Sequence, residues 1–269
     1  MKKLIALIVA LMMVLVSVAA MAEATTLKAG TSPDFPPFES MDDANNVVGF
    51  DADLAAAISA QIGQTIVFEA TSFDSIVTGV QTGLYDMGIS GIYITEERQA
   101  NVDFSIPYLE DSQSAIIKVD SGITDAASLA GKKIGSQTGT TGIDTAETVT
   151  TEDNVFSYTK ALDAVMDLQG GKVDAVITDT PVAKRILKEL NDPTLVIAEG
   201  ITFDVNYYGI ALPKGSTELK AKIDAAIKAL QDDGTIDALV LKWNIYGENT
   251  EETADATEAA VEPTATAAQ

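Results

Sequence analysis

Two residue types are missing from this 269-residue chain: it contains no cysteine and no histidine. Without cysteine there is no disulfide, no thiol nucleophile and no cysteine-ligated metal. A lipid carried on a cysteine at a cleavage point is excluded too. Without histidine, a Ser-His-Asp triad and a histidine-ligated zinc are also gone. Bases are scarce, with 17 Lys and Arg against 40 Asp and Glu, a net charge of −23. Removing Lys2 and Lys3 leaves 15 bases against 40 acids, or −25. Nucleic-acid binding calls for a basic footprint, which this balance denies. Acidity of this size favours a soluble monomer.

What is present begins with an address. Lys2 and Lys3 precede an apolar stretch from Leu4 to Val18, and Ala20-Met21-Ala22 has the small-x-small form of a cleavage site. The stretch is shorter than the roughly 20 residues that a spanning helix needs. Residues 1–22 are therefore expected to be a signal peptide cut near Ala22, with an uncleaved anchor as the alternative. The other end, Glu248 to Gln269, holds six acids, no base and mostly Ala and Thr. Such a segment buries too little apolar area to offset its ordering entropy, so a disordered tail is expected over 248–269. A spacer or partner-binding role for it stays open. Between the ends, a hydrophobic content of 46% suffices for one core or two modest ones.

Strand and helix signals alternate from Leu27 to Tyr246, which predicts an α/β architecture. Leu27–Gly30 reads as a strand entering the loop Pro33-Asp34-Phe35-Pro36-Pro37-Phe38. Asp51 is expected to cap a helix with Leu54, Ala57, Ile58 and Ile62 on its apolar face, ended by Gly63. Thr65–Glu69 is the next strand, Ser72–Gln81 a helix, and Tyr85–Ser90 a buried strand. Further on, Lys133–Ser136 is a strand opening into Thr138-Gly139-Thr140-Thr141-Gly142, and a helix follows over Ile143–Val149. Val155–Tyr158 is a strand and Ala161–Gln169 a helix. Val173–Thr178 then forms a strand that delivers Asp179 before a helix beginning near Pro181.

The pattern Q-x-G-x-x-D-x-x-I-[ST] occurs twice, from Gln81 to Ser90 and from Gln169 to Thr178, 88 residues apart. Each copy is a helix end, a tight turn and a strand. Ligands of open α/β sheets bind beyond the carboxyl ends of the strands, so two similar units facing each other would form a cleft. Shared αβ-turn chemistry explains the match equally well.

Several segments together resemble the amino-acid-binding family of extracellular solute-binding proteins of ABC importers, the family 3 type. They are Thr31-Ser-Pro-Asp-Phe-Pro-Pro-Phe-Glu39, Val48-Gly-Phe-Asp-Ala-Asp-Leu54, Ser72-Phe-Asp-Ser-Ile-Val77, Ile89 to Arg98, Val102 to Tyr108, Gly135 to Gly142, Val173 to Asp179 and Tyr208 to Gly215. The resemblance runs over about residues 27–247. It implies a two-lobed periplasmic-binding-protein fold, with two mixed sheets flanked by helices. Lobe one would comprise 23–110 and 206–247, and lobe two 111–205. Crossings near Leu109–Ser112 and Phe203–Asn206 would form a hinge that closes on the ligand.

The resemblance also implies a site for a free amino acid, whose carboxylate and ammonium must both be paired when buried. Arg98 would clamp the carboxylate, and Thr140 and Thr141 would meet it at a helix start. A surface ion pair with Glu96 or Glu97 is the other reading of Arg98, and a plain helix cap that of the threonines. Asp179 would accept the ammonium, although its place also suits an N-cap. Ser90 and Gly91 would offer carbonyls nearby. Tyr93 stands where relatives often carry Thr or Ser, so its hydroxyl lies several ångströms further out. Phe35 and Phe73 would sandwich the ligand side chain, or simply pack their loops. Ser32, Asp34, Glu39 and Gln137 are candidates for reading its tip. A polar uncharged amino acid is the favoured ligand and a basic one the next. The implied partners are that ligand and the importer's membrane subunits. No cofactor, metal or catalytic residue is implied, and the location is periplasmic or extracellular. Two alternatives remain: a dehydratase-type enzyme on the same fold, with Glu39 or Asp179 as its acid, and a soluble sensory receptor.

Overall fold

The computed structural model describes residues 26–247; the expected signal peptide and the expected tail lie outside the described residues. The chain opens with β1 (Thr26–Thr31), then β2 (Asp34–Phe35), β3 (Glu39–Met41) and β4 (Val47–Val48). Helix α1 (Phe50–Ile62) follows, then β5 (Thr65–Ala70), α2 (Phe73–Gln81), β6 (Met87–Gly88), α3 (Glu96–Asn101) and β7 (Asp103–Phe104). The ten-residue β8 (Leu109–Lys118) leads into β9 (Ile134–Gln137), α4 (Thr141–Val149), β10 (Val155–Tyr158), α5 (Ala161–Gln169), β11 (Ala175–Asp179), α6 (Thr180–Leu190) and β12 (Leu195–Ile197). The chain returns through β13 (Val205–Tyr208) and β14 (Ala211–Leu212) to α7 (Thr217–Asp232) and α8 (Thr235–Lys242).

Two mixed sheets result, each the heart of one lobe. The first runs β5-β1-β6-β14-β7, with β1 parallel to β5 and β6 and β14 antiparallel to its neighbours. The second runs β10-β9-β11-β8-β12, with β9 parallel to β10 and β11 and β8 antiparallel to β11 and β12. A small antiparallel sheet, β2-β3-β4, is an addition that the sequence reading did not foresee.

Strand β8 joins the two lobes. Its first four residues, Leu109–Ser112, pair in antiparallel register with Tyr208–Val205 of β13. Its next five, Gln113–Ile117, pair with Asp179–Ala175 of β11 inside the second sheet. The outgoing and returning chains thus cross side by side.

Local chemistry explains the elements that matter for the site. Helix α1 buries Leu54, Ala55 and Ile58 on one face and ends at Gly63, whose φ of 66° lets its N–H reach the Ser59 carbonyl at 3.0 Å. Opposite it, Ile223, Ile227 and Leu230 of α7 are buried in the same core. Each large aliphatic side chain so buried contributes about 1.5–3 kcal/mol. In the second lobe every residue of β11 is buried, as expected of a central strand covered on both faces.

Three expectations need correction. Asp51 does not cap α1: Gly49 holds that position with φ 140°, and its missing Cβ would fall 2.0 Å from the Phe38 carbonyl oxygen. Asp51 sits inside the first turn and turns its carboxylate inward. The strand expected over 85–90 is regular only at Met87–Gly88, because the chain curls at Gly91, where φ is 51°. Asp179 is the last residue of β11 rather than the residue beyond it.

Candidate functional site

A small, nearly closed cavity of about 10 Å³ lies between the lobes, walled by Phe35, Phe73, Gly91, Tyr93 and Arg98 from the first and by Thr140, Thr141 and Asp179 from the second. All eight were singled out in the sequence, and the fold brings them together from segments up to 144 positions apart, from Phe35 to Asp179.

Arg98 lies in the short helix α3, which Thr95 caps by accepting the Arg98 N–H at 3.2 Å. Its guanidinium turns inward. Nη1 donates to the Tyr93 carbonyl at 2.8 Å, and Nη2 reaches across the cleft to the Gly139 carbonyl at 3.0 Å. The guanidinium carbon sits 5.4 Å from the Phe73 ring centroid, a cation–π arrangement. No ion pair with Glu96 or Glu97 holds it at the surface among the described residues. Burial pulls the guanidinium pKa down, opposed by the charges of Asp179, Asp144 and Glu97.

Opposite stands the start of α4. Thr140 is its N-cap residue but makes no side-chain cap bond, giving its hydroxyl instead to the Gln137 carbonyl at 2.7 Å. The first N–H groups of a helix have no partner within the helix. Thr140 and Thr141, at this helix start, line the cavity, a setting that suits an anion. Gln113 Nε2 donates to the Thr141 hydroxyl at 2.9 Å and fixes that side chain.

Asp179 does not act as a side-chain cap for α6. Its Oδ2 accepts from the Tyr208 hydroxyl at 2.6 Å. Asp111 Oδ2 accepts from the Tyr93 hydroxyl at 2.9 Å and lies 3.1 Å from the Tyr208 hydroxyl oxygen, and the two rings stack at 4.6 Å. Burial, with the Asp111 charge second, pushes the Asp179 pKa up to about 7. Burial likewise lifts Asp111 to about 6, and both tyrosine hydroxyls are pushed upward. Tyr93 therefore directs its hydroxyl to Asp111, and its ring forms part of the cavity wall.

The remaining candidates stand behind or beside this wall. Gln137 Nε2 bridges the cleft to Asp34 Oδ1 at 3.2 Å, and the Ser32 hydroxyl donates to the same oxygen at 3.3 Å. Burial raises the Asp34 pKa, and the Gln137 bond opposes that rise. Ser90 lies under Gly91, accepting from the Ser32 N–H at 3.0 Å and donating to Glu39 Oε1 at 2.6 Å. Glu39 is fully buried and faces Ser90 and Asp51, not the cavity. Asp51 accepts from the Gly91 N–H at 2.8 Å and the Tyr108 hydroxyl at 3.0 Å, which holds the Gly91 turn in place.

The family description "Bacterial extracellular solute-binding proteins, family 3" matches residues 27–246. The chain belongs to this family. A putative ABC transporter arginine-binding protein 2 of Escherichia coli K12 is 34% identical over 224 residues, covering 82% of this chain and 91% of the relative. The structure of ArtJ, an arginine-, lysine-, histidine-binding protein from Geobacillus stearothermophilus, matches with TM-score 0.77 and 38% identity, over 81% of this chain and 95% of that one. The ancestral amino acid-binding protein AncCDT-1, a precursor of cyclohexadienyl dehydratase, matches with TM-score 0.74 and 33% identity, over 81% and 95%. Sequence reasoning about this solute-binding protein missed Asp111, Tyr208 and Gln113. Two of them stood in view: Asp111 falls inside the crossing 109–112, and Tyr208 opens one of the matching segments.

Proposed function

We propose that this solute-binding protein captures a free L-amino acid with a cationic side chain in the cavity between its lobes and delivers it to the membrane subunits of an ABC importer. The observation that carries the reading is one cavity faced by a guanidinium, Arg98, from one lobe and a carboxylate, Asp179, from the other. A zwitterion matches that pair. Arg98 and the α4 start, with Thr140 and Thr141, take the carboxylate; Asp179 and the carbonyls of Ser90 and Gly91 take the ammonium, with Tyr93 beside them. Phe35 and Phe73 enclose the side chain, and Ser32, Asp34 and Gln137 read its end. Lobe one then comprises 23–110 and 206–247, lobe two 111–205, and the paired segments of β8 and β13 flex between them.

The cationic preference departs from the uncharged ligand favoured by the sequence alone. One buried acid, Asp179, lines the cavity and two more, Asp34 and Asp111, stand behind its wall, against the single guanidinium of Arg98, a balance that favours a positively charged ligand. The names of the arginine-binding relatives support the same direction. A second reading, a polar uncharged ligand, has the Gln137–Asp34 bridge in its favour, since an amide can replace either partner. An enzymatic role has less support, because Glu39, one of its two candidate acids, is buried away from the cavity.

The test is a thermal-shift screen of refolded, ligand-free protein against the twenty L-amino acids. A ligand at ~100 times its Kd stabilises by about 2.7 kcal/mol. Shifts led by arginine, lysine or ornithine uphold the cationic reading, and shifts led by glutamine or asparagine select the second. Silence across the panel together with turnover of a cyclohexadienyl-type substrate would replace both.

A further inference from the structure

Strand β8 changes partners between Ser112 and Gln113. Ser112 still pairs with Val205 of β13, and Gln113 already pairs with Asp179 of β11. Residues directly opposite in an antiparallel pair present their side chains on one face, so Gln113 and Asp179 share a face of the second sheet. The Gln113 side chain is buried, and it reaches two hydroxyls of α4.

The two ends of its amide do different things. Thr145, one turn along α4 from Thr141, donates its hydroxyl to Gln113 Oε1 at 2.6 Å. That leaves Nε2 to face Thr141, where it donates to the hydroxyl oxygen at 2.9 Å. An amide nitrogen only donates, so Thr141 accepts there and keeps its own proton. Thr140 is in the opposite state. Its single hydroxyl proton goes to the Gln137 carbonyl at 2.7 Å. The Ser136 hydroxyl, 3.4 Å from that of Thr140, gives its proton to the Ile177 carbonyl at 2.8 Å. Both threonines line the cavity, and of the two Thr141 alone has a hydroxyl proton to give.

We propose, resting on the amino-acid reading of the cavity, that Gln113 is a positioning residue that makes the Thr141 hydroxyl a donor to the ligand carboxylate. Thr140 then contributes through its place at the helix start and not through its hydroxyl. The polarity matters because a carboxylate accepts and cannot donate. With Nε2 on one side of its oxygen, the Thr141 hydroxyl is held and its proton is left for the ligand. Without the amide, the hydroxyl is free to turn and give that proton to a nearby backbone carbonyl, as threonines near helix starts readily do. Gln113 also links the two ends of the ligand. Its side chain sets the carboxylate donor, and its partner in register, Asp179, is the proposed ammonium acceptor.

The test is a double-mutant cycle on the full chain, read by calorimetric titration of L-arginine and of L-glutamine, the probes of the two ligand readings. Thr141→Val should weaken binding of the better probe by about tenfold or more, the worth of a hydrogen bond to a charged group. Gln113→Met keeps the length of the side chain, removes the amide and should weaken binding by a similar factor. The double variant should match Thr141→Val alone within about twofold, because both substitutions act through one proton. Thr141→Ser keeps the hydroxyl and should recover most of the affinity, but only while Gln113 is present. A Gln113 that merely supports the fold gives losses that multiply in the double variant, and that result overturns the inference. Wild-type affinity in Gln113→Met overturns it too, while leaving the amino-acid reading standing. If circular dichroism shows Gln113→Met unfolded, Thr140→Val decides. A smaller loss than in Thr141→Val supports the assignment, and an equal or larger one overturns it. A wild-type chain that binds neither probe would remove both ligand readings, and the role of Gln113 with them.

Discussion

Tyr208, in the strand by which the chain returns to the first lobe, donates its hydroxyl to Asp179 of the second lobe at 2.6 Å. The same hydroxyl lies 3.1 Å from Asp111 Oδ2, on the outgoing strand. One phenol thus ties the proposed ammonium acceptor to the strand pair joining the lobes. It also shares out the hydrogen bonding of two buried acids. Tyr208→Phe keeps the ring that stacks on Tyr93 and removes only the donor. Leaving buried acceptors unpaired costs about 1–3 kcal/mol. Thermal denaturation of the ligand-free variant should show a loss of that size. Calorimetric titration should show weakened binding, because Asp179 loses the contact that fixes its orientation.

Arg98→Ala should abolish amino-acid binding while leaving the lobes folded. The guanidinium makes its hydrogen bonds to two carbonyls, those of Tyr93 and Gly139, and no described residue pairs it with an acid. Truncating one side of a buried charge pair costs about 2–5 kcal/mol, or roughly 30-fold to several-thousand-fold in affinity. Arg98→Lys should recover only part of this, because an ammonium cannot span Tyr93, Gly139 and the ligand with a planar fork. Calorimetry against the strongest ligand in the screen, with circular dichroism on the same samples, checks both variants. Unchanged affinity in Arg98→Ala would remove the carboxylate role.

Two pH dependences follow from the raised acids, with opposite signs. Asp179 must be ionised to hold an ammonium, and its pKa in the ligand-free protein is about 7. Affinity should therefore fall as pH drops below about 7, approaching tenfold per pH unit until the second acid intervenes. Ligand-free stability moves the other way. The folded-state pKa lies above the ordinary 3.8, so the folded form binds the proton more tightly than the unfolded chain does. That stability is fully present below about pH 4 and is lost as pH rises through about 7. Asp111, raised to about 6, adds a smaller contribution of the same sign over a narrower window. Urea unfolding with and without ligand between pH 4.5 and 7.5, on the order of ten points, separates the two trends. A ligand-free protein that gains stability from pH 5 to about 7 would contradict the burial argument for Asp179.

The cavity wall was legible through the family resemblance, whose matching segments are short and strongly punctuated. Pro33 to Phe38, Thr95 to Arg98 and Thr138 to Gly142 each end an element, and ligands collect at such ends. The two crossings, near Leu109–Ser112 and Phe203–Asn206, were implied by the family resemblance and by no local pattern. The supporting shell was not legible. Tyr208 and Asp111 meet only because β13 and β8 pair across 97 positions, a register that no local pattern encodes. Asp51 looked like a cap because an acid stood at a helix start, the usual signal. The deciding fact was tertiary: Gly49 must let the backbone pass within 2.0 Å of a would-be Cβ, which shifts the cap two residues earlier. Glu39 was placed at the ligand for its chemistry alone, and only packing shows that it faces Asp51.

Glu39 yields the last prediction. Its carboxyl is fully buried, Oε1 accepts from Ser90 at 2.6 Å, and Oε2, beside Asp51, receives no hydrogen bond. Burial, with the charge of Asp51 next, pushes its pKa well above the ordinary range. Asp51 is itself raised to about 6 by burial, yet it is held by the Gly91 N–H and the Tyr108 hydroxyl, both of which donate to the ionised form. The pair therefore carries its proton on Glu39, with Oε2 as a donor rather than an unsatisfied acceptor. Glu39→Gln preserves that pattern, an oxygen for Ser90 and a donor for Asp51, and should change stability at neutral pH by less than about 1 kcal/mol. Asp51→Asn turns one of two accepting oxygens into a donor aimed at another donor, and should cost about 1–3 kcal/mol while loosening the Gly91 turn. Urea unfolding of both variants compares them directly. A Glu39→Gln protein as damaged as Asp51→Asn would mean that Glu39 is ionised and the proton lies on Asp51.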